Sequence, residues 1–500
     1  MKIKNNVNRA LIVLGLLLLA GIGSFMYNSL QSYKINNSFV SLPLQFDPDD
    51  SSSTFQTKSA QVTVYGGFIK GLQTDPAGVE SLVIRALSPL PRVKAQGIAQ
   101  GSISLMIENI NPDFYAGSMI DSKLPMIKVA ANTLKLNFDI KPAEVITVDP
   151  VKPSLTDPTG KDKYVILGDN RDGYDTFGQI IQQVNAEDPV FVIDNGDLVF
   201  SGKPNQYRLF DQMTAKIATT LLTSPGNHDI RGDGRSIYTK LYGPAYYSFD
   251  YADAHFIFLD SSPGWAQLKA ISDEQYGWLE SDLQKAQGQR IFVITHIPPQ
   301  DPRKGVTANE IPTYVNEVNS SGGWLEGKLN NYSASKSMDH GFQDPQEAVK
   351  FERLMSTYQV DTVYLSHIHS YLEYTKDGVR YLITGGAGAE LLTTNSYYHY
   401  IISRLRSSTT ETIIELPSPP NNYVSRYGAT ITLFAAAIFI ENPLAVVLVI
   451  TGTGLLGLLL ILKVYLWKQK QFGTLWGWLK ESVGFATKRF REMFNKKKEN

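Results

Sequence analysis

Five short polar clusters, each at the end of an apolar run, constrain the fold of this 500-residue sequence more than any other feature. Each run has the length of a strand that is buried on both faces. The runs are 164–167, 190–193, 220–223, 291–294 and 363–365, and the clusters after them are 168–171, 196–197, 226–229, 295–296 and 366–369. Helical patterns between the runs predict an α/β fold with a site at the carboxyl edge of its sheet.

The clusters are rich in Asp, Asn and His. Their oxygen and imidazole donors are those that Mn, Fe or Zn prefers in a hydrolytic centre. Each residue alone also has a structural interpretation, because Asp and Asn often cap the turn after a strand and a histidine can simply be buried. The set as a whole favours a metal site.

Charge and composition exclude several other classes of protein. The formal net charge of −1 excludes a globally basic nucleic-acid binder. The chain has no cysteine, which excludes disulfides, zinc–thiolate sites and cysteine nucleophiles. Stability must therefore come from packing.

The N-terminal segment 1–30 is predicted to be a signal anchor or transmembrane helix. Lys2, Lys4 and Arg9 precede an uncharged apolar run, 10–27, which is long enough to cross a bilayer as a helix. Because basic residues mark the cytoplasmic side, the rest of the chain is expected outside. Small residues near Ala20 leave cleavage open.

The sequence after this anchor divides into two domains with linkers. Residues 31–54 are assigned to a linker, and 55–148 alternate between apolar and polar residues, as an antiparallel β-sandwich-like domain does. This domain is interpreted as a spacer that packs on the second domain or as an adaptor that binds the cell wall. A joint rich in Pro, Asp and Gly, 149–161, leads to the second domain at 162–416.

The second domain is predicted to have a layered β core, partly antiparallel, with helices outside. Pro204 starts one helix, Ser272 caps another with Gln275 three residues later, and Asp344 and Pro345 begin a third. Residues 300–342 form a long polar loop that leaves directly from the cluster at 295–296. A loop of this length is either a substrate-facing lid or disordered.

The C-terminal part is predicted to return to the membrane. Residues 417–443 are a linker with a short apolar segment, and 444–467 form a transmembrane helix. The tail 468–500 is basic and amphipathic, so the positive-inside rule places it in the cytoplasm, resting on anionic headgroups. One or two C-terminal spans fit the pattern, and one is preferred because of the basic tail.

The five clusters resemble those of the calcineurin-like metallophosphoesterase family, which includes the purple acid phosphatases. The resemblance covers roughly residues 162–390, and it rests on the order of the clusters, above all Gly-Asn-His-Asp at 226–229 and Ser-His-Ile-His at 366–369. It implies a layered α/β metallophosphoesterase fold and two divalent metal ions, either Mn, Zn or Fe, that activate water.

The resemblance also implies a role for each matching residue. Asp169 and His369 would bind the first metal, and Asp197 would bridge both metals. The second metal would be completed by Asn227, His296 and His367. His228 would contact the phosphate or protonate the leaving oxygen, with Asp229 orienting it.

Two positions depart from the family pattern. Arg171 replaces a histidine ligand of the first metal, and a guanidinium cannot bind a cation. Phe200 replaces the tyrosine that binds iron in purple acid phosphatases. We expect Arg171 to act catalytically by clamping the substrate phosphate; the alternative is a salt bridge to Asp172 or Asp175.

The sequence thus predicts a metallophosphoesterase that hydrolyses a phosphomonoester or diester at the outer face of the cytoplasmic membrane. The alternative is a catalytically weakened scaffold or binding module at the membrane. Its partners would be a phosphoester substrate and the membrane, with no nucleic acid beyond a possible substrate. Neither substrate identity nor oligomeric state can be derived from the sequence.

Overall fold

The computed structural model describes residues 39–416, apart from 76, 116–125, 153–161, 172, 263–268, 304–339, 392–396 and 406–410, together with a few isolated residues beyond 416. The described residues between 39 and 416 all lie within one compact unit, Ile35–Ala437.

The predicted membrane segments 1–30 and 444–467 lie outside the described residues, apart from 450–452, 454 and 457. The same is true of 417–443 and of the tail 468–500, in which only Ile431 and Gly477 are described. No helix of the described part is both long and apolar enough to cross a bilayer.

The first domain consists of two β-sheets around a shared core. One sheet has the order β1-β4-β5-β7-β9-β8 and the other β10-β6-β3-β2. Residues of β3 show the predicted alternation, because Val62 and Val64 are buried while Gln61 is exposed. The strands are β1 Phe39–Ser41, β2 Ser52–Gln56, β3 Ala60–Tyr65, β4 Gly67–Thr74, β5 Glu80–Ala86, β6 Arg92–Gly97, β7 Gly101–Glu108, β8 Met126–Ala130, β9 Thr133–Ile140 and β10 Val145–Val148.

This domain differs from the prediction in two respects. Residues 39–54, assigned to a linker, contain β1 and the start of β2. Strand β1 has only three residues and β2 begins with Ser-Ser-Thr, so neither shows the apolar alternation that predicts a strand. The domain is also not wholly antiparallel, since β5 pairs with β7 in parallel. The chain crosses to the other sheet through β6 and returns, so β5 and β7 run in the same direction.

The second domain contains two further sheets, here named sheet I and sheet II. Sheet I has the order β13-β12-β11-β20-β21, and sheet II has the order β14-β15-β16-β17-β19-β18. The strands are β11 Lys163–Leu167, β12 Phe191–Asp194, β13 Thr220–Thr223, β14 Tyr247–Tyr251, β15 Ala254–Phe258, β16 Arg290–Ile294, β17 Thr362–Leu365, β18 Tyr371–Lys376, β19 Val379–Thr384, β20 His399–Arg404 and β21 Glu411–Glu415. Within each sheet the strands that carry the polar clusters are parallel to one another.

Five described helices cover the outer faces of these sheets. They are α1 Tyr174–Glu187, α2 Pro204–Thr214, α3 Gly234–Tyr242, α4 Asp273–Lys285 and α5 Pro345–Thr357. Helices α1–α3 pack on sheet I, and α4 and α5 pack on sheet II. The Ser272 hydroxyl accepts from the Gln275 amide at 3.2 Å, which confirms the predicted cap of α4. The layered α/β core with outer helices is confirmed.

Aromatic side chains fill the space between sheets I and II. The ring of Tyr164 on sheet I stacks on Phe191 with centroids 5.1 Å apart and meets Phe256 of sheet II edge-on at 5.4 Å. The Tyr164 and Tyr364 hydroxyls hydrogen-bond at 2.9 Å, which satisfies both buried oxygens. This core holds the two sheets face to face, with their carboxyl edges on the same side.

The first domain packs on the second through buried polar contacts. The Asn109 side chain donates to the Ala86 and Leu221 carbonyls and accepts from the Leu221 amide, all within 3.0 Å. Trp278 of α4 donates to the Pro48 carbonyl at 3.1 Å. These contacts support the interpretation of the first domain as a packed spacer.

Candidate metal centre

The six predicted metal ligands come from loops at the carboxyl ends of five strands, and they divide by sheet. Sheet I supplies an oxygen set after β11, β12 and β13, and sheet II supplies an imidazole set after β16 and β17. The oxygen set is Asp169, Asp197 and Asn227, and the imidazole set is His296, His367 and His369. The centre therefore forms where the two sheets meet.

Both aspartates are buried in left-handed backbone turns, with φ of 58° at Asp169 and 55° at Asp197. Aspartate tolerates this region better than most residues, because its short side chain can bond locally. Asp169 Oδ2 accepts from the His367 amide at 2.8 Å, and Asp197 Oδ1 accepts from the His228 amide at 2.9 Å. The other oxygens, Asp169 Oδ1 and Asp197 Oδ2, are buried without a hydrogen-bond partner.

Two histidines are oriented by backbone carbonyls. His296 Nδ1 donates to the Asn195 carbonyl at 2.8 Å, and its Nε2 lies 3.3 Å from Asp197 Oδ1. His369 Nδ1 donates to the Glu390 carbonyl at 2.5 Å, and its Nε2 lies 3.6 Å from Asp169 Oδ1. A carbonyl on Nδ1 fixes the tautomer whose Nε2 has a free lone pair, as metal-binding histidines require.

His367 and His369 are two residues apart and would face opposite ways on a regular strand. Strand β17 ends before them, and both have positive φ, 72° and 43°. The loop thereby turns both rings to the same side, and the His367 ring lies 5.2 Å from that of His296. The His340 ring, at the end of the long polar loop, lies 5.1 Å from His367, so this end of the loop reaches the site.

The cluster fits a divalent cation. One ligand atom each from Asp169, Asp197 and His369 lies within 4.8 Å of the others. The Asn227 Oδ1 and His296 Nε2 atoms beside them are buried without a hydrogen-bond partner. Buried polar atoms without partners are costly, and a bound cation satisfies such a set of oxygens and lone pairs.

Burial and mutual charge explain the titration of these groups. Burial raises the pKa of the Asp169 carboxyl well above its ordinary value, and the charge of Asp197 adds to this. Burial also favours a higher pKa for Asp197. The charges of neighbouring histidines, of which His296 contributes most, outweigh burial and lower the pKa of Asp197. Burial lowers the pKa of His367 and His369, which keeps both rings neutral, the form that binds metals.

Asn195 ties the two sheets together at this edge, and the sequence analysis missed it. Its amide donates to the Thr295 carbonyl at 3.0 Å and the Tyr364 carbonyl at 3.1 Å, both on sheet II, although Asn195 itself follows β12 of sheet I. Its oxygen accepts from the Ser224 hydroxyl at 2.6 Å. A buried Asn directly before Gly-Asp was the only available signal.

Glycines allow the close approach of backbone and ligands. A Cβ on Gly385 would lie 2.5 Å from Asp169 Oδ2, and one on Gly226 would lie 2.4 Å from Asp197 Oδ1. The run 385–388 therefore forms a close-packed bend behind the ligands.

Arg171 has a partner that the sequence does not suggest. Its side chain is 3% exposed, and its Nη2 forms an ion pair with the Glu390 carboxylate, which the sequence analysis did not identify. Asp172 lies outside the described residues. The Arg171 guanidinium also lies 5.4 Å from the centre of the Phe200 ring. Glu390 is 21 residues from His369 in sequence, so only the fold brings them together.

His228 lies between two arginines. Its Nδ1 donates to the Phe200 carbonyl at 2.6 Å, which leaves Nε2 to accept from Arg171 at 2.7 Å and Arg231 at 2.8 Å. Burial, reinforced by both arginines and opposed by Asp197, lowers the pKa of His228 to about 4. His228 is therefore neutral at pH 7. Arg231 is a third residue that the sequence does not identify, although it lies only two positions after the cluster at 226–229.

Asp229 does not orient His228. Its carboxylate instead accepts from the backbone amides of Val199 at 2.9 Å and Gly226 at 2.8 Å. It therefore joins the loops after β12 and β13. Burial, together with Asp197, raises the pKa of Asp229 to about 8.

The sequence profile of the family described as calcineurin-like phosphoesterase (Metallophos) matches residues 163–371. All six predicted ligands lie in this range. Residues 163–371 form a calcineurin-like phosphoesterase domain. The family uses a centre of two divalent metal ions, and the cluster of Asp169, Asp197 and His369 offers ligands for such a centre.

The phosphoesterase domain is homologous to phosphodiesterase and purple acid phosphatase enzymes. Glycerophosphodiester phosphodiesterase GpdQ of Enterobacter lignolyticus (strain SCF1) is 27% identical over 133 residues, 24% of this chain and 46% of that protein. Purple acid phosphatase 13 of Arabidopsis thaliana is 26% identical over 242 residues, 44% of this chain and 35% of that protein. The chain therefore spans less than half the length of these curated relatives.

Purple acid phosphatase PPD1 from yellow lupin (Lupinus luteus) seeds is a similar solved structure. It aligns with a TM-score of 0.38 and 14% identity, covering 74% of this chain and 78% of its own.

Proposed function

We propose that this chain is a metal-dependent phosphoesterase that hydrolyses a phosphomonoester or phosphodiester at the outer face of the cytoplasmic membrane. The observation that carries the hydrolytic function is the convergence of Asp169, Asp197 and His369, whose ligand atoms lie within 4.8 Å of one another. The apolar segments 10–27 and 444–462 and the basic tail support the membrane location.

When bound, two divalent cations would neutralise phosphate charge and lower the pKa of an attacking water. The oxygen set of sheet I and the imidazole set of sheet II would hold them. The Asn195 and Glu390 carbonyls keep a proton on Nδ1 of His296 and His369, so that both Nε2 lone pairs face the centre. This orientation is preset by the fold.

Arg171 binds and orients the phosphate, and His228 positions the Arg171 side chain. Arg171 Nη2 stays paired with Glu390. Arg171 Nη1 donates to His228 in the free protein and would donate to a phosphate oxygen when substrate is bound. His228 holds its proton on Nδ1 against the Phe200 carbonyl. In this state it positions the arginine side chains and does not protonate the leaving group.

The test is metal analysis of the purified full chain combined with hydrolysis of a chromogenic phosphoester in Mn, Zn and Fe. We expect Asp197→Asn to lower turnover at least about 100-fold, because a carboxylate that would hold the cations is lost. Asp253→Asn, in the exposed turn between β14 and β15, is the matched control and should leave activity unchanged. Metal at trace levels only, with no turnover that depends on Asp197, would exclude the enzyme.

The second candidate function is a weakened, non-catalytic binding module at the membrane. One observation favours it, namely that the buried Arg171 guanidinium occupies the position of a histidine ligand in the family. Cation binding without turnover in the same experiment would support this candidate.

A further inference from the structure

We propose that Arg231 is a substrate-binding residue that pairs with Arg171 across His228 and selects a terminal, doubly charged phosphate, so that the site prefers phosphomonoesters to phosphodiesters. This inference rests on the proposed phosphoesterase function and specifies its substrate class.

The two guanidinium groups converge on one atom. Arg231 Nη2 lies 2.8 Å and Arg171 Nη1 lies 2.7 Å from His228 Nε2. His228 Nε2 is itself 3.9 Å from Asp197 Oδ2, a predicted metal-ligand atom. A phosphate oxygen placed beside this nitrogen would lie within reach of both guanidinium groups.

The charges of the two arginines are compensated differently. Arg171 forms an ion pair with Glu390. The hydrogen-bond partners of Arg231 in the described part of the chain are the His228 ring and the Phe200 carbonyl at 3.4 Å, neither of which is a carboxylate. A half-buried guanidinium that forms no ion pair with a carboxylate can take a phosphate oxygen as a charged partner.

The backbone holds Arg231 in place. Its carbonyl accepts from the Gly234 amide at 2.9 Å at the start of α3. A Cβ on Gly202 would lie 2.5 Å from the same carbonyl, so the loop after β12 packs directly on this turn. The Tyr207 hydroxyl donates to the Asp229 carbonyl two residues earlier, at 2.8 Å. Arg231 is therefore presented from a fixed turn.

These features favour a monoester on charge grounds. A phosphomonoester carries about two negative charges near neutral pH, because its second pKa is near 6, whereas a diester carries one. The second negative charge of a monoester can pair with the Arg231 guanidinium, which has no carboxylate partner. The esterified oxygen of a diester carries no such charge. The Phe200 ring, 45% exposed beside Arg171, offers a surface for the organic group.

The test compares p-nitrophenyl phosphate with bis(p-nitrophenyl) phosphate, which share a leaving group, on the metal-loaded full chain. We expect the wild type to prefer the monoester, and Arg231→Gln to lower kcat/KM for the monoester about 30-fold and for the diester less than about 3-fold. Arg231→Lys should lie between them, because it keeps the charge and loses the planar fork. Arg353→Gln, on the exposed face of α5, is the control arginine.

Calorimetric binding of inorganic phosphate and dimethyl phosphate, with metal content measured on the same samples, provides a readout that is independent of turnover. Arg231→Gln should weaken phosphate about 10-fold and leave dimethyl phosphate and bound metal unchanged. Equal loss on both substrates, or unchanged phosphate binding, overturns the role of Arg231. A wild type that hydrolyses neither ester refutes the proposed function instead, and phosphate binding still decides the role of Arg231.

Discussion

At the scale of single residues, the buried Arg171 affects the balance of charge beside the centre. The residue is 3% exposed, and an unpaired buried charge is strongly destabilising. Glu390 pairs with Arg171 through its side chain, and its backbone carbonyl orients His369. One residue therefore both compensates the charge of Arg171 and orients a predicted metal ligand.

This linkage predicts a coupled effect in a double-mutant cycle. Glu390→Gln should lower metal affinity about 10-fold and destabilise the fold by about 1 kcal/mol, because the charge of Arg171 then repels the cation and lacks a partner. Arg171→Gln alone should keep its metal and raise KM. The double variant should regain most of the metal affinity, as measured by metal titration and denaturant unfolding. Strictly additive losses would contradict the coupling.

The sequence identifies those residues of the centre that stand in a recognisable short cluster at the end of a strand. Asp169 and Asp197 follow strands in recognisable clusters, and the structure brings them together with His369. Glu390 and Asn195 were missed, because their contacts arise between segments that are distant in sequence. Arg231 was missed although its partner His228 is only three residues away, because an arginine in a loop has no pattern that distinguishes it from a solvent-exposed one. Glu390 follows a glycine-rich bend, and no spacing in the sequence indicates that its carboxylate pairs with Arg171.

At the scale of elements, the strand pair β14–β15 and helix α4 share a buried histidine. His255 Nδ1 contacts Asp250 at 2.6 Å on the paired strand, and its Nε2 contacts Asp282 at 2.8 Å on α4. Burial alone would lower the pKa of His255, but the bonds to both carboxylates outweigh it and raise it to about 9. The charged imidazolium thus holds α4 on sheet II.

This contact predicts a stability that depends on pH. The folded pKa lies above the ordinary value of about 6.5. The stabilisation is therefore complete below about pH 6.5 and is lost as the pH rises through 9. The difference in unfolding free energy between wild type and His255→Gln should shrink by up to about 3 kcal/mol from pH 6 to pH 10. A difference that stays constant across this range would rule out the charged contact.

Helices and strands with strong local signals were predicted best. The Ser272 cap and the Asp344–Pro345 start correspond to α4 and α5. The sequence did not predict helix α3. This helix has only nine residues and begins with glycine, a residue with low helix propensity. Its position is set instead by packing of Tyr238 and Tyr242 on sheet I.

At the scale of the whole molecule, the proposed location can be tested with the chain's own composition. Because the chain has no cysteine, single cysteines can be labelled without background. With a membrane-impermeant maleimide on intact cells, we expect Asp253→Cys in the exposed β14–β15 turn to react. Lys496→Cys in the basic tail should react only after the membrane is opened. Labelling of the tail from outside, or protection of the turn, would contradict the proposed topology.

The division of the centre between sheets I and II has a consequence for how the protein matures. A chain in which only one sheet has formed presents oxygens alone or imidazoles alone, since Asn195 completes the edge only after docking. A cation that needs ligands from both sets would therefore bind only after the two sheets have docked, and it would then link them across their shared edge.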